Sequence, residues 1–479
     1  MTQIILLFQI FICGFVVAKI MRLTSVYSFI LAYPLGLGIF SQVILISFAI
    51  DLDIFYGVCL VIFLTLLACI KIYLKKSTKE IFNLKSLKTL IFFIIFTFIC
   101  FAFNFIEIPF VKLTSDSFDY HGIGKIFSNN LILDVSNEDF FRYSLRRDPM
   151  LFTVSALSNS LGIQNFQLHF FLVGIFLFLI VLMPNLDDKT NVVDKISIFF
   201  LTISCVISPQ LIHQSAFYLP NLTAAVYYGA IFILAQKIIS FDVKNKDQPF
   251  KYLIIFCFIA SIGCILRTEI RYLNILVLVP TLICSLRFIS SKKVYFLIAF
   301  YLVLSHWWYI YRFILIPNPY DALYGTFVVD FLSIALTLFG FFLIQFKKKF
   351  YSSKFIIFIL TSVLLLILAL DFSGTIFTIK RLTKLMFFDG NWGLTWFLIL
   401  PIFILLISID KNQNTKTFVI IVVFGFFLWR IIIYTFYRDM GLNDHSELGS
   451  GNRVLILIIP VMAFYIVNKL KFFMNEKLY

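Results

Sequence analysis

The feature that most constrains this chain is a series of apolar segments, each about as long as a membrane is thick. A helix of roughly 20 apolar residues crosses the hydrocarbon core of a bilayer, and this chain of 479 residues contains many such segments. Hydrophobic residues make up 61% of the chain and charged residues only 14%, which is too little polar surface for a soluble protein of this size. Because backbone groups in lipid must satisfy one another, the spans should be helices. The sequence therefore predicts an all-α, polytopic transmembrane helix bundle.

The apolar segments divide the chain, and we expect about 13–15 spans from them. A leader of three spans and a basic connection occupies residues 1–88, a larger bundle residues 89–468, and a basic tail residues 469–479. The first segment should be a retained helix, because it has no charged start and no small-residue cleavage site. The apolar segments lie near residues 3–18, 28–50, 54–70, 89–106, 166–183, 196–214, 217–236, 252–266, 272–286, 294–314, 326–345, 355–371, 393–409, 417–436 and 453–468.

The net charge of +15 is explained by membrane topology. If the connection at 71–88 is cytoplasmic and the spans alternate, most of the 40 Lys and Arg fall on the cytoplasmic side. This is the positive-inside bias, and it also fits attraction to anionic lipid. Lipid bilayer is therefore the expected partner, and nucleic acid is not.

The cysteines and histidines give no sign of a metal cluster. The eight Cys all fall within apolar segments without a CxxC pair, and the five His are scattered. We therefore expect neither disulfides nor a dedicated metal site.

One connection, residues 107–165, is unusually polar for such a chain. It holds SDSFDYHGIGKIFSNN at 115–130 and RYSLRRDPMLF at 142–152. Charged groups beside a bilayer are expensive and usually mark a working site. Asp148 and Pro149 resemble the start of a helix; the apolar stripe that follows predicts an amphipathic helix lying on the membrane surface, ended by Gly162. A second helix should begin at Ser115 or Asp116.

The acidic residues of this loop are candidates for acid–base chemistry. Asp116 and Asp119 share a face if the segment is helical, and Tyr120 and His121 follow them directly. A carboxylate there can deprotonate a hydroxyl as general base. The alternative is that Asp116 only caps a helix and Asp119 complements its dipole.

The basic residues are candidates for phosphate binding. Arg146 and Arg147 suit a phosphate, although they can also bind lipid headgroups or nearby acids. Arg267 and Arg271 would lie on one helical face, where like charges repel; a ligand anion between them would resolve this, since Glu269 would point elsewhere. The alternative is a short turn with snorkelling arginines.

Two later segments, which the alternation of spans also places on the outer side of the membrane, extend this basic set. Lys380 and Arg381 lie in TIKRLTK, and Arg453 opens the last span. Nearby, Asp444, His445 and Glu447 are a weak signal for a sugar or a divalent cation.

Several of these motifs, in their order along the chain, resemble the GT-C polytopic glycosyltransferases, which include protein O-mannosyltransferases and the aminoarabinose transferases of lipid A. The similarity covers roughly residues 89–468 and rests on short motifs. Unlike some members, the chain has three extra spans, no large periplasmic domain and an acidic pair spaced D-x-x-D. The motifs are SDSFDYH, RRDP with PMLFTVSALSNSLG, CILRTEIRYLNILVLVP, FFDGNWGLTWFLILP and GSGNRVLILIIP.

The resemblance implies an inverting glycosyltransferase of the cytoplasmic membrane with its active site on the outer face. Its donor would be a polyprenyl-phosphate-linked sugar and its acceptor a cell-envelope glycan, lipid or protein. Asp116 matches the family's catalytic base, with Asp119 as the second candidate. The donor phosphate would be held by basic residues chosen for their charge and their side of the membrane, not for a family match at each position: Arg146, Arg147, Arg267, Arg271, Lys380, Arg381 and Arg453. The substrates would contact Tyr120, His121 and Glu269.

This chemistry requires no cofactor, and a divalent cation would be useful but not obligatory. Two other functions are compatible with the same composition. A polysaccharide polymerase or ligase would use its arginines and dispense with the acid. A transporter or flippase for a lipid-linked anion would show broken or charged helices near the bilayer midplane.

Overall fold

The computed structural model describes residues 2–74, 120, 122–125, 148–161, 167–186, 192–215, 220–241, 247–315, 334–335, 338, 353–436 and 454–476. All regular structure within these ranges is helical, as the sequence predicted. Six helices are long and apolar enough to cross a membrane, or seven if one bent pair counts as a single span. The chain is therefore a multi-pass, all-helical membrane protein. The predicted span at 89–106, all of the predicted span at 326–345 except residues 334–335 and 338, and the boundary at residue 88 lie outside these ranges.

Within each continuous described range, the helices follow one another with short connections. Three shorter apolar helices accompany the six long ones. In chain order the α-helices are α1 Thr2–Ile20, α2 Ser25–Ile30, α3 Ala32–Ala49, α4 Ile54–Leu74, α5 Pro149–Ser160, α6 Gln167–Leu182, α7 Val192–Val206, α8 Pro209–Ser215, α9 Pro220–Ile239, α10 Asp247–Leu266, α11 Thr268–Ser285, α12 Ser291–Leu315, α13 Ser353–Leu370, α14 Phe372–Lys384, α15 Thr395–Ile409, α16 Gln413–Phe436 and α17 Ile459–Glu476.

Helix α9 forms the centre of the bundle. It packs against α6, α10, α11 and α17, and almost every one of its residues is buried. A helix that is apolar around its whole circumference can be buried on all sides. Polar exceptions such as Tyr227 find partners, since its hydroxyl donates to the Pro34 carbonyl at 2.6 Å.

Helices α1 and α3 cross at unusually close range. Gly14 faces the Ala32 carbonyl, and Gly36 faces the Ile10 carbonyl, so a β-carbon at either glycine would overlap with backbone atoms. Small residues let helix backbones approach closely in membrane proteins, where packing replaces the hydrophobic effect as the driving force. The two glycines therefore fix how the first helices meet.

Two ends of the bundle differ in character. At one end, which we call the basic end, α9, α11 and α15 finish and α10, α12 and α16 begin. Lysines are frequent there, among them Lys237, Lys251, Lys292, Lys293, Lys411 and Lys416. At the opposite end, which we call the site end, α10 passes into α11 through Arg267, and α5 begins after Asp148.

Helix α5 corrects one sequence expectation. The helix exists as predicted, with Asp148 at the N-cap position and Pro149 as its first residue. Its residues 149–158 are all buried, however, and it packs against α3, α4 and α10. An amphipathic helix on a membrane surface would expose its polar side. The prediction of a surface helix is therefore wrong. The polar side of α5 can be buried because the hydroxyls of Thr153 and Ser158 donate hydrogen bonds to carbonyls of the same helix.

Helices α13 and α14 form a bent pair at an angle of 119°. The break occurs at Asp371, whose Oδ1 accepts a hydrogen bond from the Gly374 amide at 2.8 Å and so caps the start of α14. A side-chain cap satisfies amide groups that the first turn of a helix leaves open. The cap allows the chain to change direction there, and α14 carries Lys380 and Arg381 on its second half.

Candidate functional site: a buried arginine–carboxylate cluster

The connection between α10 and α11 consists of Arg267 alone. Its backbone is extended, with φ −151° and ψ 136°, so the residue stands outside both helices at the N-cap of α11. Its guanidinium turns back to Glu269 and makes a bidentate pair, with Nε–Oε2 at 2.9 Å and Nη2–Oε1 at 2.6 Å. Paired contacts of this kind are among the strongest that a carboxylate can make.

The third nitrogen of the Arg267 guanidinium, Nη1, contacts helix α9. It donates to Oδ1 of Asn221, the second residue of α9. Asn221 in turn donates from Nδ2 to Oε1 of Gln214 at 3.1 Å. The hydrogen bond from Arg267 to Asn221 thus joins the start of α11 to the start of α9, and the bond from Asn221 to Gln214 extends this polar network to α8.

Arg271 lies one turn further along α11 and has a different partner. Its Nη2 is 2.6 Å from Oδ1 of Asp148, which precedes α5. Its Nε donates to the Cys264 carbonyl at 3.2 Å. The Asp148 side chain makes no capping hydrogen bond to α5, so its carboxylate serves the ion pair, and the capping role expected from the sequence is absent.

Tyr309 completes this second pair. The Arg271 guanidinium carbon lies 3.6 Å from the centre of the Tyr309 ring, a cation–π distance. The Tyr309 hydroxyl is 2.9 Å from Asp148 Oδ1 and 3.1 Å from the Cys264 carbonyl oxygen. One tyrosine from α12 therefore stacks on the arginine and hydrogen-bonds its carboxylate.

These contacts correct the argument that the two arginines need an external anion. The extended backbone at Arg267 removes it from the helical face of Arg271, and each guanidinium has a carboxylate from the protein itself. Only an unbroken helix through both residues would have placed the two guanidiniums on one face. Glu269 also differs from expectation, because Arg267 turns back toward it.

The four charged side chains differ in exposure. The Arg271 side chain is 4% exposed and Asp148 15%, whereas Arg267 is 13% and Glu269 25% exposed. The Arg271–Asp148 pair is thus the more enclosed one, and the Arg267–Glu269 pair lies nearer to the surface of the cluster.

Electrostatic interactions connect the pairs to further groups. Glu269 interacts with Arg430 of α16, a buried residue whose guanidinium carbon is 4.0 Å from the centre of the Tyr434 ring. Burial by itself would raise the pKa of Glu269, but the neighbouring Arg267 guanidinium outweighs this and holds the pKa below its ordinary value. Glu269 is therefore an ionised partner of the arginines.

Tyr120, from the polar connection at 107–165, interacts with this cluster. It is buried and interacts electrostatically with Arg267. The helical turn that follows it packs closely on α5, since a β-carbon on Gly124 would clash with the Ser155 side chain and lie 2.9 Å from the Phe152 carbonyl oxygen. Of the SDSFDYH motif, this one residue is described, and it interacts electrostatically with an arginine that the sequence had singled out.

The basic residues of α14 have a nearby partner of their own. Arg381 is buried and its Nη1 lies 3.2 Å from Oδ2 of Asp389. Lys384, which is mostly exposed, contacts the same oxygen at 3.2 Å. Lys380 is exposed on the same helix. Their assignment to a donor phosphate remains a prediction.

The other predicted site residues lie outside the described ranges. They are Asp116, Asp119, His121, Arg146, Arg147 and Arg453. Within the ranges that are described, no group of three or more His, Cys, Asp or Glu could hold a metal ion.

Sequence reasoning missed three members of the cluster. Tyr309 and Asn221 gave no signal, because neither is charged and each lies within a predicted apolar span. Asp148 was noticed only as a helix cap, although its position beside Arg146 and Arg147 was a usable signal for an ion pair.

Comparisons with protein-family models, with curated proteins and with solved structures found no match for this chain.

Proposed function

We propose that the chain is an integral membrane glycosyltransferase. It would move a sugar from a polyprenyl-phosphate donor to a cell-envelope acceptor at the outer face of the cytoplasmic membrane. The observation that carries the proposal is the cluster of Arg267, Glu269, Arg271 and Asp148 at the site end, with Tyr120 of the acidic loop motif beside Arg267. Charges buried among apolar helices are costly, and in membrane proteins they usually serve a function.

The exposure of the two pairs divides their proposed roles. Arg267 has the more exposed side chain and a partner that is one-quarter exposed, so it is the better contact for a donor phosphate. Arg271 is nearly enclosed and holds Asp148 together with Tyr309, so it is a positioning residue. A cation fixed where the leaving group gathers charge stabilises the transition state without reorganisation.

The proposed reaction is a single displacement at the anomeric carbon. Asp116, or Asp119 in its place, removes the proton of an acceptor hydroxyl. The acceptor oxygen then forms a bond to the anomeric carbon, and the bond from that carbon to the phosphate oxygen breaks with its electron pair. The lipid phosphate leaves toward Arg267, and the anomeric configuration is inverted.

The base assignment is tested by Asp116→Asn and Asp119→Asn as separate variants. Asp51→Asn is a matched control, because Asp51 is exposed in the turn between α3 and α4 and has a positive φ that asparagine accepts. Each variant is checked for membrane insertion, and the surface glycan that depends on this chain is measured. We expect one loop variant to abolish transfer and the control to retain it. Full transfer by both loop variants would show that the base is elsewhere.

The phosphate contact is tested with Arg267→Gln. We expect transfer to fall by at least about 100-fold, as for other electrostatic contacts to a leaving group, while the protein still inserts. If transfer needs Arg267 but neither acid, a polymerase or ligase becomes the better description. Accessibility of loop 107–165 from the cytoplasm would contradict the outer-face donor altogether.

A further inference from the structure

A cavity of about 630 Å³ lies at the basic end, away from the arginine–carboxylate cluster. Its walls come from the last turns of α9 and α15, the connection into α16 and the middle of α17, with Tyr27 of α2 and Pro184 completing the lining. Pockets of this size are typical of small-molecule sites. The proposed transfer chemistry does not use it.

The charged wall of the cavity contains three lysines and one aspartate. Asp410 is fully engaged within the protein, since its Oδ1 lies 2.8 Å from Lys469 Nζ and its Oδ2 accepts from the Tyr465 hydroxyl at 2.9 Å. Lys469 is therefore neutralised by Asp410. The other two, Lys237 and Lys411, have no carboxylate partner in the described part of the chain, so the cavity wall carries excess positive charge.

A neutral donor adds to this wall. Nε2 of Gln236 is a buried nitrogen that finds no hydrogen-bond acceptor among the described residues, and Gln236 lines the cavity beside Lys237. Leaving a buried donor unsatisfied is costly. The two ammonium groups favour a ligand with negative charge, such as a phosphate, and a shift of the Gln236 side chain into the cavity would give its N–H the acceptor that it lacks.

Another part of the wall is apolar and continues onto the outside of the bundle. Leu406 and Phe464 are buried at the cavity, whereas Ile409 is 47% exposed. The preceding residues on α15, Ile404 and Leu405, are 50% and 60% exposed. In a membrane protein such apolar side chains face lipid. The cavity thus joins a basic wall to an apolar, lipid-facing surface.

We propose that this cavity binds an anionic membrane lipid, with its phosphate headgroup at Lys237, Lys411 and Gln236. The acyl chains lie along the exposed apolar side of α15. Basic pockets between transmembrane helices on the cytoplasmic side commonly bind such headgroups, and the positive-inside rule assigns the basic end to that side. The inference is independent of the transferase function.

The test measures lipid binding to the purified full-length protein in detergent by native mass spectrometry. The probes are phosphatidylglycerol, phosphatidylcholine with the same acyl chains, and inorganic phosphate. The double variant Lys237→Gln/Lys411→Gln is compared with Lys292→Gln, which removes an exposed lysine from the same end but not from the cavity.

We expect the protein to prefer phosphatidylglycerol. The double variant should lose about 25-fold in affinity, from about fivefold for each lysine, and the Lys292→Gln control should lose less than about twofold. Equal binding of both lipids, or an equal loss in the control, would overturn the proposal. Full displacement of phosphatidylglycerol by millimolar inorganic phosphate would show that free phosphate is the ligand instead.

Gln236→Met provides a second route if the double variant does not fold. It removes the unsatisfied donor and keeps an unbranched side chain of similar length. We expect the melting temperature of the lipid-free protein to stay the same or rise, while the affinity for phosphatidylglycerol falls. Unchanged affinity would remove Gln236 from the site and contradict the proposed headgroup position.

Discussion

The Arg271–Asp148 pair gives the sharpest prediction about stability. Asp148→Asn keeps the shape of the side chain but removes its charge. The Arg271 guanidinium would then remain buried, with its side chain only 4% exposed, and without the carboxylate that now lies 2.6 Å away. The variant therefore isolates the electrostatic part of the interaction.

The size of the effect follows from what Arg271 loses and what it keeps. Removing one partner of a buried ion pair costs about 3–5 kcal/mol, because the other charge is left uncompensated. Arg271 keeps its stacking on Tyr309 at 3.6 Å and its bond to the Cys264 carbonyl. Asp148 is also 15% exposed. We therefore expect the lower end of that range, about 3 kcal/mol.

The assay is unfolding by SDS in mixed detergent micelles, followed by circular dichroism. Arg271→Met and the double variant Asp148→Asn/Arg271→Met complete a cycle, in which we expect a coupling of about 2 kcal/mol. Lys384→Gln is the control for an exposed pair, since Lys384 is 58% exposed, and it should cost less than about 0.5 kcal/mol. If the destabilisation of the double variant equals the sum of those of Asp148→Asn and Arg271→Met, the two side chains are not coupled. The ion pair would then not hold α5 to α11, which would contradict the prediction.

The remaining predictions concern single side chains. Tyr309→Phe keeps the ring over the arginine but loses the hydroxyl, and should cost about 1 kcal/mol in the same unfolding assay; a loss above about 3 kcal/mol would mean that the ring has moved. Gly36→Ala should cost about 2–3 kcal/mol, because its β-carbon meets a backbone carbonyl of α1. Gly263→Ala, whose β-carbon would meet side-chain atoms only, the nearest being an Ile270 methyl at 3.1 Å, should cost less than about 1 kcal/mol. Equal melting temperatures for the two alanine variants would contradict this. Gly124→Ala should separate the helical turn at 122–125 from α5, and so reduce sugar transfer with little change in membrane insertion. Unaltered sugar transfer would show that the contact of Gly124 with α5 does not position Tyr120.

Part of the site was predictable from the sequence. Arg267, Glu269, Arg271 and Tyr120 were selected as an excess of polar groups in an apolar chain, and they do lie together. Their pairing was not predictable, because it depends on one extended residue between α10 and α11. Asp148 lies more than one hundred residues from Arg271 in the chain, so no local pattern could connect them.

Composition and apolar segment length by themselves determined that this chain is a multi-pass helical bundle, because only helices satisfy the backbone in lipid and each must match the thickness of the bilayer. The amphipathic pattern of α5 was equally clear, but it could not tell a membrane surface from a bundle interior. Both environments accept an apolar stripe. Only the tertiary structure decided that α5 is buried among α3, α4 and α10, and that Asp148 at its start pairs with Arg271. The physical reason is that the two charges belong to distant segments of the chain, which only helix packing brings together.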